Sequence, residues 1–383
     1  MKVLFLTNIP SPYRVAFFRE LSKKVELTVL YETEKASDRK AGWIKTDEDS
    51  TKSYHEVYLK RVWTGVDQAF CPEVKKYLKR DFDAIIVGVY STPTGMYAIR
   101  YMKSHHIPYF ISCDGGMISS DSNLKHRIKN YFLSGAAGYF SSGQTTDEYL
   151  VHYGAEANRI HRYPFSSVSE YQVIDRVLTS EEKMELRKKL GVPKEDFLKP
   201  MICSVGQFIH RKGYDILFKA ASMLPEEYRY YIIGDKPGEE YLQQIKELGL
   251  KNIHFIDFMP YEKLKEYYQA ADLFVLPTRE DIWGLVINEA LANGLPVVTT
   301  DKCVAGVEFA NTEKLTYGML SVISIVETEK PEATANAIKT AIEKQDEIDR
   351  KRCIELARKY TIETMAEAYS RAVRNIEEIH DQN

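Results

Sequence analysis

Hydrophobic positions in this chain fall into short unbroken runs separated by segments with helical spacing. Residues 2–7 (KVLFLT) are a continuous apolar run, as a strand buried on both faces requires. Ser11-Pro12 then suits a helix start, with serine as N-cap and proline at the first helical position, and the helix runs on through VAFFRELSKK. Residues 25–31 predict the next strand, so the opening is a strand–helix–strand unit. Residues 32–53 are polar without a clear period and predict a loop or short irregular elements. Further buried strands are predicted at 82–89 and 107–113, with a helix around 94–104 between them. An Asp114-Gly115-Gly116 turn, a helix over 124–133, a short strand at 138–141 and a helix over 145–153 complete one doubly wound α/β domain.

Periodicity weakens over 164–179, where we place the linker. It restarts at 201–205, and strands follow at 230–233, 253–256, 273–276 and 296–299, each separated by a helical segment. From residue 331 onward the chain reads as charged helix.

Composition adds bounds. At 383 residues, 44% hydrophobic and 28% charged, the chain is long enough for two ordinary soluble domains. Its formal charge of −3 is uneven: residues 1–165 hold 23 basic against 18 acidic side chains, and the rest hold 29 against 37. A basic first half favours an acidic partner such as a phosphorylated acceptor or an anionic membrane surface, and no motif speaks for nucleic acid. Five scattered cysteines without a CxxC pair argue against a disulfide framework or zinc site and for a reducing, cytoplasmic setting. The apolar run at the start is short for a signal peptide, and no stretch approaches the ~20 apolar residues that span a bilayer.

The stretch 278–300 carries the most chemistry. A strand (272–277), a loop, a short helix over 285–292 stopped by Asn293-Gly294, and a second strand place the loop at the carboxyl ends of a parallel sheet, where ligands bind. The helix N-terminus at Gly284-Leu285 offers N–H groups and a positive dipole end to a diphosphate, and Gly284 has no Cβ to hold a ligand off. Asp281 before the helix and Glu289 within it are acceptors for sugar hydroxyls on either side of that diphosphate. The same spacing suits Asp281 as a plain N-cap and Glu289 as a solvated helix residue. The loop 206–213 (GQFIHRKG) sets Gly206 after a strand and Arg211 and Lys212 before a helix, which suits an anion or a solvated basic turn.

The segment EDIWGLVINEALANGLPVVTT resembles the signature of glycosyltransferase family 4, a retaining group of GT-B architecture. Asp281 stands at the first acidic position, where the family has Glu, and Glu289 at the second; Glu280 is the neighbouring alternative. The family's first acid touches the transferred sugar and its second grips the nucleotide ribose. Loop 206–213 resembles the family's phosphate loop, with Lys212 matching its Lys and Gln207 in place of its Arg, a role open to Arg211. The resemblance implies two Rossmann-like domains facing a cleft: residues 1–167 for the acceptor, 168–361 for the nucleotide sugar, and a helix over 362–383 crossing back to the first domain.

It also implies a hexosyltransferase that moves a hexose from a UDP- or GDP-sugar to a hydroxyl of a glycan or lipid-linked acceptor in surface polysaccharide synthesis. No metal or other cofactor is implied; the nucleotide sugar is a co-substrate. Asp114 is the candidate for orienting sugar or acceptor, as against a simple turn residue, and Tyr13 and Arg14 are acceptor candidates. Tyr241 is expected near the donor's base. His105, His106 and His210 match no family role. The helix over 124–133, basic on one side and apolar on the other, suits either the inner face of a plasma membrane or ordinary packing on its sheet. The alternatives are another GT-B enzyme, an oxidoreductase (disfavoured because TNIPSPYR lacks GxGxxG) or a catalytically inactive, nucleotide-sugar-binding subunit.

Overall fold

The computed structural model describes residues 1–34, 53–65, 68–79, 81–319, 322–344 and 346–380, so the loop expected over 32–53 lies mostly outside the described residues. The chain divides into two compact units, Met1–Ser167 with Thr361–Asn383, and Val168–Tyr360.

The first unit contains β1 (Lys2–Thr7), α1 (Pro12–Ser22), β2 (Glu26–Tyr31), β3 (His55–Tyr58), β4 (Trp63–Gly65), β5 (Gln68–Phe70) and β6 (Ala84–Val87). It continues with α2 (Pro93–Ser104), β7 (Phe110–Cys113), α3 (Asn123–Leu133), β8 (Gly138–Ser141), α4 (Gln144–His152) and β9 (Ile160–Arg162). Its main sheet runs β3-β2-β1-β6-β7-β8-β9, and every pairing in it is parallel. Strand β1 buries five of its six residues, because helices cover both faces of a parallel sheet. Ser11 occupies the N-cap position of α1 but makes no side-chain capping bond, so proline at N1 is the operative start signal there. The antiparallel β4–β5 hairpin and the edge strands β3 and β9 escaped sequence reading, being three or four residues long and only partly buried.

The second unit contains α5 (Ser180–Lys189), β10 (Met201–Gly206), α6 (Tyr214–Ala221), β11 (Arg229–Gly234), α7 (Glu239–Glu247), β12 (Ile253–Asp257), α8 (Tyr261–Ala270) and β13 (Leu273–Leu276). Then come α9 (Leu285–Ala292), β14 (Val297–Thr300), α10 (Val304–Tyr317), β15 (Ile323–Val326), α11 (Pro331–Lys344) and α12 (Glu347–Lys359). The sheet order is β12-β11-β10-β13-β14-β15, again with parallel pairings only. Asp272, at the start of β13, meets Arg187 of α5 at 2.7 Å and Arg350 of α12 at 3.5 Å, and also pairs with Lys183 of α5. Burial disfavours the Asp272 carboxylate, yet these three cations hold its pKa down at about 2, so the cluster pins both helices to the amino-terminal edge of the sheet.

The last helix, α13 (Ile362–His380), belongs to the first unit, whose second segment is Thr361–Asn383. Tyr369 on α13 is fully buried there, stacks on Phe140 at 4.1 Å with 5° between the rings, and shares a 2.6 Å hydrogen bond with Ser112. All five cysteines are buried free thiols. Among the described residues, no helix is long and apolar enough to cross a membrane.

Candidate active site

In the second unit the strand order reverses between β10 and β13, so the loops after these two strands open side by side at the carboxyl end of the sheet. Strand β10 ends at Gly206, paired with Gly234 at the end of β11. A Cβ on Gly234 would stand 2.2 Å from the Gly206 carbonyl oxygen, so only glycine lets these strand ends approach. The loop after β10 then turns at Gly213, in the left-handed region at φ 70°, where a Cβ would lie 2.0 Å from the Pro277 carbonyl oxygen. Loop 206–213 is thereby pressed onto the loop that follows β13.

Hydrogen bonds join the two loops. The Arg279 N–H and the Thr278 hydroxyl donate to the Arg211 carbonyl at 2.8 and 2.9 Å, and Arg211 Nη1 donates to the Glu280 carbonyl at 2.8 Å. Arg279 grips Asp215 through both guanidinium nitrogens at 2.8 Å, donates to the His210 carbonyl at 2.7 Å and pairs with Glu329. The product of this frame is an ion pair: Lys212 Nζ lies 2.6 Å from Asp281 Oδ2, with the side chains only 13% and 14% exposed. Arg211 Nη1 is 3.8 Å from the same oxygen and is nearly half exposed.

Asp281 does not cap α9. Its N–H donates to the Lys302 carbonyl at 2.9 Å and its carbonyl accepts from the Val304 N–H at 3.2 Å, while Gly284 is the N-cap residue, without a side-chain cap. The left-handed φ of 98° and a hypothetical Cβ only 2.7 Å from Cys303 Sγ require glycine at 284 for reasons of fold, whether or not a ligand approaches. Leu285 opens α9, and its N–H belongs to the first turn, which has no intrahelical acceptor. Further along α9, Glu289 is half-buried and accepts a 2.9 Å bond from the Tyr268 hydroxyl of α8. Gly206, Arg211, Lys212, Asp281, Gly284 and Leu285 therefore come from the two adjoining loops and the helix start, and Glu289 is anchored from the neighbouring helix.

Tyr241 is buried among Phe208 and Phe218 and so belongs to the core. A hollow of about 780 Å³ instead opens at the carboxyl ends of β11 and β12, lined among others by Asp235, Pro237, Leu242, Phe258, Met259 and Lys263. Helix α7, expected near the donor's base, lines it through Leu242 rather than Tyr241; the signal that sequence reading missed is the apolar Phe258-Met259 directly after a strand end, 44% of Phe258 being exposed.

The other candidates lie in the first unit. Arg14, in the first turn of α1, is 4% exposed and pairs with Asp114, which follows β7. The other Asp114 oxygen accepts from the Tyr163 hydroxyl at 2.7 Å. Burial works against the Arg14 charge, but Asp114 and the oxygens of Tyr13, Tyr369 and Tyr163 outweigh it and raise the guanidinium pKa. Its guanidinium sits over the Phe5 and Tyr13 rings, at 5.5 and 5.7 Å. Arg14 Nη1 is buried without a hydrogen-bond partner among the described residues. Tyr13 packs edge-on against Phe165 at 5.7 Å. Asp114 thus has both oxygens engaged, and the donor left over is on Arg14.

Residues 182–360 match the family described as "Glycosyl transferases group 1". The putative teichuronic acid biosynthesis glycosyltransferase TuaC of Bacillus subtilis is 29% identical over 62% of this chain and 59% of its own length. The lipopolysaccharide glucosyltransferase WaaG of Escherichia coli is 29% identical over 50% of this chain and 54% of its own. The chain thus spans little more than half the length of these curated relatives. HepE of Anabaena, solved in complex with UDP, superposes with a TM-score of 0.76 at 16% identity over 98% of this chain and 100% of its own. The chain has the GT-B glycosyltransferase fold, and most of its second unit carries the sequence pattern of group 1 glycosyl transferases.

Proposed function

We propose that this protein is a retaining hexosyltransferase of family 4 that moves a hexose from a UDP- or GDP-sugar to a hydroxyl of a glycan or lipid-linked acceptor. The observation that carries this reading is the convergence of Lys212, Asp281 and the start of α9 at the switch point of the second sheet. A fold shared with HepE, which was solved with UDP, supports a nucleotide donor. The relatives named for lipopolysaccharide and teichuronic acid work support an acceptor of the surface-polysaccharide kind, and with it work at the inner face of the plasma membrane.

The chemistry follows from the residues. The hollow beside β11 and β12 receives the base. The diphosphate competes with Asp281 for Lys212, gaining a charge-assisted bond, with Arg211 and the α9 N–H groups close by. Asp281, released from Lys212, accepts from a sugar hydroxyl, and Glu289 accepts from the ribose. The bond between the anomeric carbon and the phosphate oxygen breaks as the acceptor oxygen bonds to the same face. The acceptor's proton passes to the departing phosphate oxygen, so configuration is retained and side chains with a helix end supply the positive charge. In the first unit, the unpartnered Arg14 Nη1 binds an anionic group of the acceptor, and Asp114 and Tyr163 fix its direction.

Incubation with radiolabelled nucleotide sugars tests the proposal. Hydrolysis or transfer by the parent chain, abolished by Lys212→Ala and Glu289→Ala with the fold intact, is expected. Binding without turnover of any donor points to an inactive sugar-nucleotide-binding subunit, and near-normal turnover in both variants sinks the site.

A further inference from the structure

We propose, resting on the ribose role given above to Glu289, that Tyr268 is a positioning residue for the nucleotide, its hydroxyl aiming the Glu289 carboxylate at the ribose. Tyr268, near the end of α8, is fully buried and packs on Phe274 of β13 with 5.7 Å between ring centres. Its hydroxyl donates to Glu289 Oε2 at 2.9 Å. A buried phenol gains from any acceptor, yet Tyr109 and Tyr230 are also buried and their hydroxyls have no hydrogen-bond partner among the described residues. Burial alone therefore does not dictate the Tyr268 bond. Its acceptor is a half-buried side chain of the candidate site rather than a carbonyl of the core. Burial, and after it the Glu289 carboxylate, push the Tyr268 phenol well above its usual range, so it stays a donor at physiological pH.

Helix α8 also holds the main chain of α9. Asn293, directly after α9, donates from Nδ2 to the Glu289 carbonyl at 2.9 Å and to the Tyr261 hydroxyl at 3.2 Å, and its Oδ1 accepts from Gln269 Nε2 at 2.9 Å. Tyr261 opens α8 and Gln269 follows Tyr268, so the carboxylate and the backbone of Glu289 are both referred to one helix. That helix lines the hollow assigned to the base through Lys263. A carboxylate oxygen has room for more than one donor, so Glu289 can keep the Tyr268 bond and accept from the ribose as well. A glutamate side chain has several rotatable bonds, and fixing them as a ligand arrives costs affinity; a bond that fixes them beforehand removes that cost. Loss of the Tyr268 hydroxyl therefore weakens the contacts Glu289 makes to ribose hydroxyls and leaves those to base and diphosphate as they are.

Titration calorimetry of the full chain tests this, with UDP and GDP first and then the tighter binder with both ribose hydroxyls removed (the dideoxy form). The parent chain should favour the ribose form about tenfold or more. Tyr268→Phe, which keeps the ring, should lower that preference about threefold or more and leave the affinity for the dideoxy form unchanged. In a Glu289→Ala background the same substitution should change neither affinity, as expected of two groups that act as one. A preference is a ratio, so it holds even where part of a sample is unfolded. Positioning by Tyr268 is overturned if Tyr268→Phe keeps the parent's preference, if it weakens both forms alike, or if its effect persists without Glu289. A parent chain that binds neither nucleotide, or binds both forms equally, instead removes the ribose role of Glu289, and Tyr268 falls with it.

Discussion

Lys212 and Asp281 are 69 residues apart and form an ion pair, which the proposed function has a phosphate of the donor break. Replacing Lys212 by Ala removes one charge-assisted contact to a diphosphate, worth about 1.5–3 kcal/mol, so UDP should bind about 10- to 100-fold more weakly in calorimetry. Arg279 acts one step behind. It bonds to Asp215 and to the His210 carbonyl, and its own N–H holds the Arg211 carbonyl, so it sets the loop from which Lys212 projects. Arg279→Lys keeps the charge and loses the fork; we expect weaker UDP binding with no change in net charge, and normal binding in that variant would remove Arg279 from the frame. Glu32, fully buried just after β2, offers a test by pH. Its carboxyl accepts from the Ala69 N–H at 3.0 Å and meets the Thr92 hydroxyl, yet burial outweighs both and raises its pKa to about 7. Between its unfolded value, about 4.5, and about 7, the folded state binds more protons than the unfolded one, so this group's contribution to stability is complete below that window and is lost as pH rises through it. Glu32→Gln should flatten that slope in melts between pH 5 and 8, and it should melt above the parent at the upper end.

At the scale of elements, α13 shows how a helix becomes part of a unit distant in sequence. Its Tyr369 touches Phe17 of α1, Phe140 of β8 and Tyr163, with ring centres 4.9, 4.1 and 4.8 Å away. Through Tyr163 the same packing reaches Asp114 and then Arg14. Tyr369→Ala empties a fully buried ring site and should cost about 3–5 kcal/mol in denaturant unfolding. Tyr369→Phe keeps the ring and loses only the hydroxyl to Ser112, costing about 1 kcal/mol. Helix α9 is the contrasting case. Its eight residues lie between two buried strands, and its limits at Leu285 and Ala292 coincide with the span expected from the apolar run and the Asn293-Gly294 stop. Strand β15 went unread because it has four residues at a sheet edge, directly after the long α10, with no alternation to separate it.

At the scale of the molecule, the chain leaves its first unit at Ser167 and comes back to it at Thr361. A chain ending at Tyr360 would therefore lose part of its first core and expose Phe5, Phe17 and Phe140. We expect it to aggregate or to melt well below the parent, and an unchanged melting profile would show that α13 is dispensable.

What the amino-acid order determined by itself is local. Unbroken apolar runs specified β1 and β13, glycine after an apolar span ended α9, and the alternation of strand and helix implied two parallel α/β units, because burial on both faces imposes that pattern on any such chain. Which charges meet is a different matter. Arg14 finds Asp114 across 100 residues, and Lys212 finds Asp281 across 69, only because strand order and the close approach of Gly213 to Pro277 bring their loops together. Side-chain pairing depends on distances that packing sets and periodicity does not record. For the same reason Leu124, Ile128 and Tyr131, which could have faced a sheet, were left facing solvent.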